Sequence, residues 1–456
     1  MGYVAEVLLA AGIGLALTIL AAVALTRSRR RATRIAWSLA VMLLALVTLT
    51  SPFTLAAAQS AISRAAVPHR PAPVSSSLRL YLNNPVGQGA SITALRATDG
   101  ARQWQRQIVG PAQMSFTLSG DALYVPSLLA PAPVTFPIPT AITALRASDG
   151  TLLWATTIGG TADPGQGSTT SKFASLVGPP LVADGNVYLA FDYGQFVRDA
   201  GLIVALQASD GQELWRRQVI NADHDTPESH PLAVGGGLVF VGGTGALRAT
   251  DGTPVWAGIG GDGTPVYDSG TLYVIPTHGQ IVALRATDGK RVWSVDQSHS
   301  SLVVQTIAAH DGALYLGLQT AVDGNQAYLD ALDGASGKQR WQVPLPGWPQ
   351  DTTVADGVIY VGMAASYAGK LGGLVVLDAA TGATRWQKST GTYIGYRHPQ
   401  VVGDVLYALS TNDRPGIGPC LANCGEPDFV NALDARSGAF YWRQPLDWAG
   451  SPLEVG

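Results

Sequence analysis

Ala94-Leu-Arg-Ala-Thr-Asp-Gly100-Ala-Arg-Gln-Trp104 decides the fold, because the chain writes this stretch eight times. It returns as Ala144-Leu-Arg-Ala-Ser-Asp-Gly150 with Trp154, and as Ala205-Leu-Gln-Ala-Ser-Asp-Gly211 with Trp215. Two more copies are Ala246-Leu-Arg-Ala-Thr-Asp-Gly252 with Trp256 and Ala283-Leu-Arg-Ala-Thr-Asp-Gly289 with Trp293. Three variants follow: Ala331-Leu-Asp-Gly-Ala-Ser-Gly337 with Trp341, Val376-Leu-Asp-Ala-Ala-Thr-Gly382 with Trp386, and Ala432-Leu-Asp-Ala-Arg-Ser-Gly438 with Trp442. The seven steps from Trp104 to Trp442 average about 48 residues, the period of a propeller blade.

Upstream of each copy stands a short alternating strand, such as Leu123-Tyr-Val125, Val187-Tyr-Leu189, Leu314-Tyr-Leu316 and Leu406-Tyr-Ala408. Alternation of this kind marks half-buried strands. Before most of these lies another strand, often opened by Pro, as in Pro180-Leu-Val-Ala and Pro265-Val-Tyr. The Ala-Leu and Trp segments supply two more. Four strands per repeat and eight repeats predict an all-β, eight-bladed propeller of four-stranded antiparallel blades over 78–456. The Gly before each Trp sits where a tight turn needs positive φ, with Asp or Thr beside it to bond the turn backbone. The eight indoles are then read as one apolar plate per blade junction, a structural role rather than a chemical one.

The first repeat has no Pro-led strand in front of Leu78. The C-terminal Ser451-Pro-Leu-Glu-Val-Gly456 matches His230-Pro-Leu-Ala-Val-Gly235, so the tail is expected to supply the innermost strand of the first blade. Pro71–Ser77 is the alternative supplier.

Composition narrows the rest. Only 13% of the 456 residues are charged and 53 are glycine, which suits many tight turns and argues against a disordered chain or a coiled coil. Residues 1–77 hold seven arginines and one acid, Glu6, which leaves 22 bases against 31 acids in 78–456. A body with that balance has no basic stripe for nucleic acid. Val4–Thr26 and Ile35–Ala58 are apolar runs of spanning length, joined by a loop with five arginines between Arg27 and Arg34. Two helices of about 4–26 and 35–57, with the basic loop cytoplasmic, make residues 1–58 a membrane hairpin and put the rest of the chain outside the cytoplasm. The alternative is an exported chain cleaved near Ala58, since Ala56-Ala57-Ala58-Gln59 also reads as a leader cleavage site. Residues 59–77 read as a Pro/Ser linker.

Ala-Leu-Asp-Ala-x-Thr-Gly-x-x-x-Trp resembles the tryptophan-docking repeat of the pyrroloquinoline-quinone (PQQ) propellers, most fully at Leu377–Trp386 and Leu433–Trp442. The first five copies depart from it: Arg or Gln replaces the Asp, and an Asp precedes the Gly. The resemblance implies one of two functions. Quinoprotein dehydrogenases of alcohols or sugars hold PQQ and a metal, usually Ca²⁺, in the central channel; BamB-like members are non-catalytic scaffolds at a bacterial envelope membrane. The enzymes often carry adjacent cysteines, whereas Cys420 and Cys424 are four apart, and there is no Cys-x-x-Cys-His for a c-type haem. The expectation is therefore a BamB-like scaffold for an envelope or membrane protein, with no cofactor. PQQ with Ca²⁺ is the alternative.

Short connections, such as Asp184-Gly185, Asp311-Gly312 and Asp356-Gly357, alternate along the chain with long ones. Antiparallel strands put the two sets on opposite faces, so one face carries every insertion, and binding concentrates in such loops. The candidate contact residues are Trp348, Tyr393, Tyr396, His224 and His230. His224 and His230 lie among Asp223, Asp225 and Glu228, a run read as a solvated loop ahead of a metal site because no paired-ligand spacing is present. His398-Pro399 repeats His230-Pro231 and is expected to open a strand. Cys420 and Cys424 are expected to form a local disulfide outside the cytoplasm, with free thiols as the alternative.

Overall fold

The computed structural model describes residues 69–456 apart from 87–88, 111–115, 130–139, 159–174, 193–199, 221–231, 243–244, 259–264, 278–279, 297–301, 321–325, 365–371, 392–394, 412–427 and 447–452. The hairpin 4–26 and 35–57 and the linker up to residue 68 lie outside the described residues.

Among the described residues, thirty-three strands form eight antiparallel sheets. Blade 2 shows the pattern: inner strand Thr117–Ser119, second strand Ala122–Leu128, third strand Thr140–Arg146 and outer strand Leu152–Ile158. Blade 3 differs in that two short pieces, Ser175–Leu176 and Leu181–Ala183, share the edge of Asn186–Asp192. The inner strands of successive blades touch one another in an unbroken cycle, which makes the eight sheets a closed ring.

Closure is the expected one. Leu453–Val455 pairs antiparallel with the second strand of blade 1, with Leu80 opposite Val455, Tyr81 opposite Glu454 and Leu82 opposite Leu453. Arg79 and Gly456 exchange two main-chain hydrogen bonds. The alternative supplier does something else. Residues 70–78 run along the short-turn face, where Arg70 N–H donates to the Tyr441 carbonyl and Ala72 N–H to that of Thr98. Ala72, Val74 and Leu78 thereby cover the junction of blades 8 and 1.

The apolar material divides into eight clusters, one per blade junction. The repeated Trp explains why. Each indole lies on the turn Gly of the next blade, Trp104 on Gly150 and so around to Trp442 on Gly100. Each Nε1–H donates to a main-chain carbonyl of that same turn at 2.8 to 3.2 Å: Ala147, Ala208, Ala249, Ala286, Gly334, Ala379, Ala435 and Ala97 in order. A tyrosine of the second strand uses the other lone pair. Tyr81, Tyr124, Tyr188, Tyr273, Tyr315 and Tyr407 donate their hydroxyls to the carbonyls that Trp104, Trp154, Trp215, Trp293, Trp341 and Trp442 reach. Burial pushes these phenols upward, Tyr81 to about 12. Blade 4 has Phe240 at this position and fills the place by stacking Phe240 on Tyr267 of blade 5.

The two turn chemistries seen in the sequence are two ion-pair arrangements. In blades 1, 2 and 5 the third-strand Arg reaches forward to the turn Asp, as in Arg96–Asp99 at 3.0 Å and Arg285–Asp288 at 3.0 Å. In blades 6 and 7 the third strand carries the Asp, which takes the residue just before the Trp: Asp333–Arg340 at 2.9 Å and Asp378–Arg385 at 2.8 Å. The Arg340 guanidinium, ahead of the Ser336 hydroxyl, holds the Asp333 carboxyl down at about 2. Where the third-strand Asp is lost, the position before the Trp has no ionic partner to serve. It is apolar and exposed in blades 2 to 5, at Leu153, Leu214, Val255 and Val292.

Gly211 and Gly185 separate two reasons for glycine. Both have positive φ, 73° and 77°. A Cβ on Gly185 would meet nothing within 4 Å, whereas one on Gly211 would run into the Trp154 indole. Gly185→Ala is expected to cost about 1 kcal/mol, the left-handed backbone penalty alone. Gly211→Ala should cost about 3 kcal/mol, because overpacking adds to it. Urea unfolding of the two variants reads the difference.

Candidate functional site

The ring has two unlike faces. On one, every connection is a tight turn. Asp184-Gly185, Asp311-Gly312 and Asp356-Gly357 have positive φ at both residues, the mirror-image turn that matches strand twist. The opposite face joins second to third strands and each outer strand to the next blade, and it carries the long connections. Residues 70–78 run along the tight-turn side.

The channel wall is also uneven. Inner strands of blades 1, 2, 4 and 5 have three or four residues. Those of blades 6, 7 and 8 have nine, eight and eight: Leu302–His310, Trp348–Ala355 and Gly395–Val402. Each of the long three is bulged, with register shifts at Val304/Thr306, Pro349/Asp351 and Arg397/Gln400.

The bulge in blade 8 places His398 and Pro399 opposite Ala408 alone. His398-Pro399 therefore sits mid-strand and does not open one. Pro399 has no N–H to leave unpaired there, and its carbonyl accepts the Thr353 hydroxyl of blade 7 at 2.7 Å. His398 adopts a left-handed backbone, φ 50°, and its N–H donates to Asp351 Oδ2 at 3.2 Å. Its imidazole Nδ1 stands 3.9 Å from Asp351 Oδ1. Burial holds the imidazole below the usual histidine range, against the pull of Asp351. Asp351 thus pins the bulge through the main chain and faces a neutral imidazole. The sequence offers no repeat-level sign of this pair: His398-Pro399 repeats His230-Pro231, but the repeat brings no Asp351 with it.

Two of the sequence candidates fall on these strands. Trp348 is half-buried and packs on the junction of blades 6 and 7. Tyr396 is 2% exposed, inside the junction of blades 7 and 8. Its position two residues before the bulge turns it inward, so it is a packing residue and not a surface contact. Complete burial drives its hydroxyl far above the ordinary phenol range. Tyr393, His224, His230, Cys420 and Cys424 lie outside the described residues.

The same junction holds two cations against aromatic rings. Lys388 Nζ lies 4.1 Å from the Phe440 ring centroid and donates to the Gly438 carbonyl, and the Arg443 guanidinium lies 3.5 Å from that of Phe429. Burial, with Arg443 nearby, lowers the Lys388 ammonium. Thr156 makes the equivalent bond to the Gly211 carbonyl between blades 2 and 3, so Lys388 is a seam residue too.

A Ca²⁺-quinone site needs several converging oxygens. Among the described residues, no three His, Cys, Asp or Glu side chains stand together in a way that could hold a metal ion. Asp351, on one of the long inner strands, already accepts the His398 N–H.

Residues 58–198 and 199–356, more than half of the chain, match the family model described as outer membrane protein assembly factor BamB. The chain belongs to this BamB-like family. No curated protein gives a significant match. Among solved structures, BamB from Moraxella catarrhalis is 17% identical, covering 72% of this chain and 92% of its own, with a TM-score of 0.47. Dihydro-heme d1 dehydrogenase NirN, solved with DHE, reaches 0.54 at 15% identity, over 84% and 76% of the two chains. Apo AztD from Citrobacter koseri reaches 0.50 at 14%, over 84% and 98%. At such identities NirN and AztD speak to the ring architecture alone. The ring architecture by itself assigns no activity.

Proposed function

We propose that this chain is a membrane-anchored, extracytoplasmic scaffold that binds an envelope or membrane protein through its loop-carrying face and performs no chemistry of its own. The observation that carries the reading is the division of the ring: all connections of one face are reduced to tight turns, while length and variety are kept for the other. Membership of the BamB-like family supports it. Anchoring rests on the apolar runs 4–26 and 35–57 with five arginines between them. Among the described residues no helix is long and apolar enough to cross a membrane; the proposed anchor is the pair of apolar runs within the first 58 residues. Cys420 and Cys424 would close a small staple within one connection of the binding face.

The test places a photo-crosslinking residue at Thr277 or Thr320 on the loop-carrying face, and at Thr98 or Ser148 on the tight-turn face, of the full chain in its own membrane. Crosslinks to a discrete membrane or envelope protein are expected from the first pair and not from the second. The same purified chain, given PQQ and Ca²⁺, is expected to show neither quinone absorbance nor alcohol- or sugar-dependent dye reduction. Activity would move the chain to the dehydrogenase class.

A further inference from the structure

We propose that Glu454 makes closure of the ring pH-sensitive: the C-terminal strand holds its place while this carboxyl is protonated, and the seam loosens when it ionises.

The geometry leaves the side chain little choice. The closing strand has three residues. Leu453 and Val455 point into the junction of blades 8 and 1, so alternation sends Glu454 to the opposite side. There its register partner is Tyr81, which belongs to the apolar cluster between blades 1 and 2 with Phe116 and, packed against it, Leu118. Glu454 is half-buried there, and a carboxylate so placed is penalised without a cation or several N–H donors.

The elements packed on the strand supply none. From the second strand of blade 1 come Arg79 and Tyr81. The Arg79 guanidinium donates to the Ser77 carbonyl, and the Tyr81 hydroxyl to that of Ala147. The inner strand of blade 2, Thr117–Ser119, has no titratable group, and Asp121 just beyond it is an acid engaged with Ser148. The inner strand of blade 8 carries Arg397 and His398, the latter tied to Asp351. Among the described residues no ion pair or hydrogen bond reaches the Glu454 carboxyl. Desolvation alone raises it from the ordinary glutamate value to about 7.

The sign follows from linkage. Between about pH 4.5 and 7 the closed strand keeps a proton that the released strand gives up, so closure weakens as pH rises through that window and levels off above it. One proton taken up on closing changes the opening constant by up to about tenfold per pH unit.

The experiment is hydrogen exchange of the full chain, following peptides that contain Arg79–Leu82 and Leu453–Gly456, in wild type and Glu454→Gln. After correction for intrinsic exchange, the wild-type seam is expected to open about ten- to a hundredfold more readily at pH 7.5 than at pH 5. Glu454→Gln should stay closed at both, while peptides of the blade 5 and 6 junction behave alike in the two proteins. A seam of wild type that does not respond to pH, or one that responds equally in Glu454→Gln, overturns the proposal.

Discussion

Removal of Leu453–Gly456 is expected to destabilise the protein by about 5 kcal/mol or more and to lower its melting temperature by about 5–10 °C. Leu453 is 1% exposed, and Leu80 and Leu82, which it helps to cover, are 0% and 1%. Baring one such side chain costs about 1.5–3 kcal/mol, and the main-chain pair between Arg79 and Gly456 adds about 1 kcal/mol per bond. The loss is larger than a contact sum, because the deletion also turns a closed ring into an arc with a bare edge. The transition should broaden as well as shift, since the blades on either side of the opened seam then rest on one fewer neighbour. Calorimetry of the truncated chain checks both; an unchanged midpoint would mean that blade 1 closes by another route.

Closure by the tail was legible in the sequence because Ser451–Gly456 repeats a strand motif found before other blades, as at His230–Gly235, and because the first repeat lacks one. The ring, the blade count and the sides of the turns were legible for the same reason: Trp, Gly and the aliphatic alternation recur at one spacing, and each recurrence has a local physical cause. The tyrosines that share a carbonyl with the indoles recur too, but their role appears only when the neighbouring blade is in place. The swap of Arg and Asp in the turns was visible as a departure from the family pattern. Its reason, that Arg340 and Arg385 take over the pairing, needed the cross-strand distances.

What repeats is readable; what occurs once is not. Asp351 and His398 belong to single blades, and a His-Pro step looks the same whether it opens a strand or sits in a bulge. Tyr396 read as a surface aromatic because strand length decides which way it turns, and the extension of the inner strands in blades 6 to 8 has no counterpart in the shorter blades that set the pattern. The candidate contacts in the long connections vary from copy to copy, so repetition gives no leverage on them.

The eight indoles are alike in sequence and unequal in energy, and Trp442 is expected to be the most costly to remove. It is 0% exposed, whereas Trp104, Trp256, Trp293, Trp341 and Trp386 are only half-buried. The difference comes from residues 70–78, which exist at one junction only: Ala72, Val74 and Leu78 close over the seam that Trp442 fills, and Arg70 lies over the neighbouring Tyr441 ring at 4.6 Å. Trp442→Ala should therefore cost about 4–5 kcal/mol, the top of the range for an aromatic truncated in a core. Trp256→Ala should cost about 2–3 kcal/mol, since half of its transfer energy is never gained. Trp442→Phe keeps an apolar plate over Gly100 and gives up the bond to the Ala97 carbonyl, which retains the Tyr407 hydroxyl; about 1 kcal/mol of its cost is that bond. Chemical denaturation of the three variants ranks them. Equal losses for Trp442→Ala and Trp256→Ala would show that the N-terminal segment contributes no cover, and would separate the stability of the seam from the chain that crosses it.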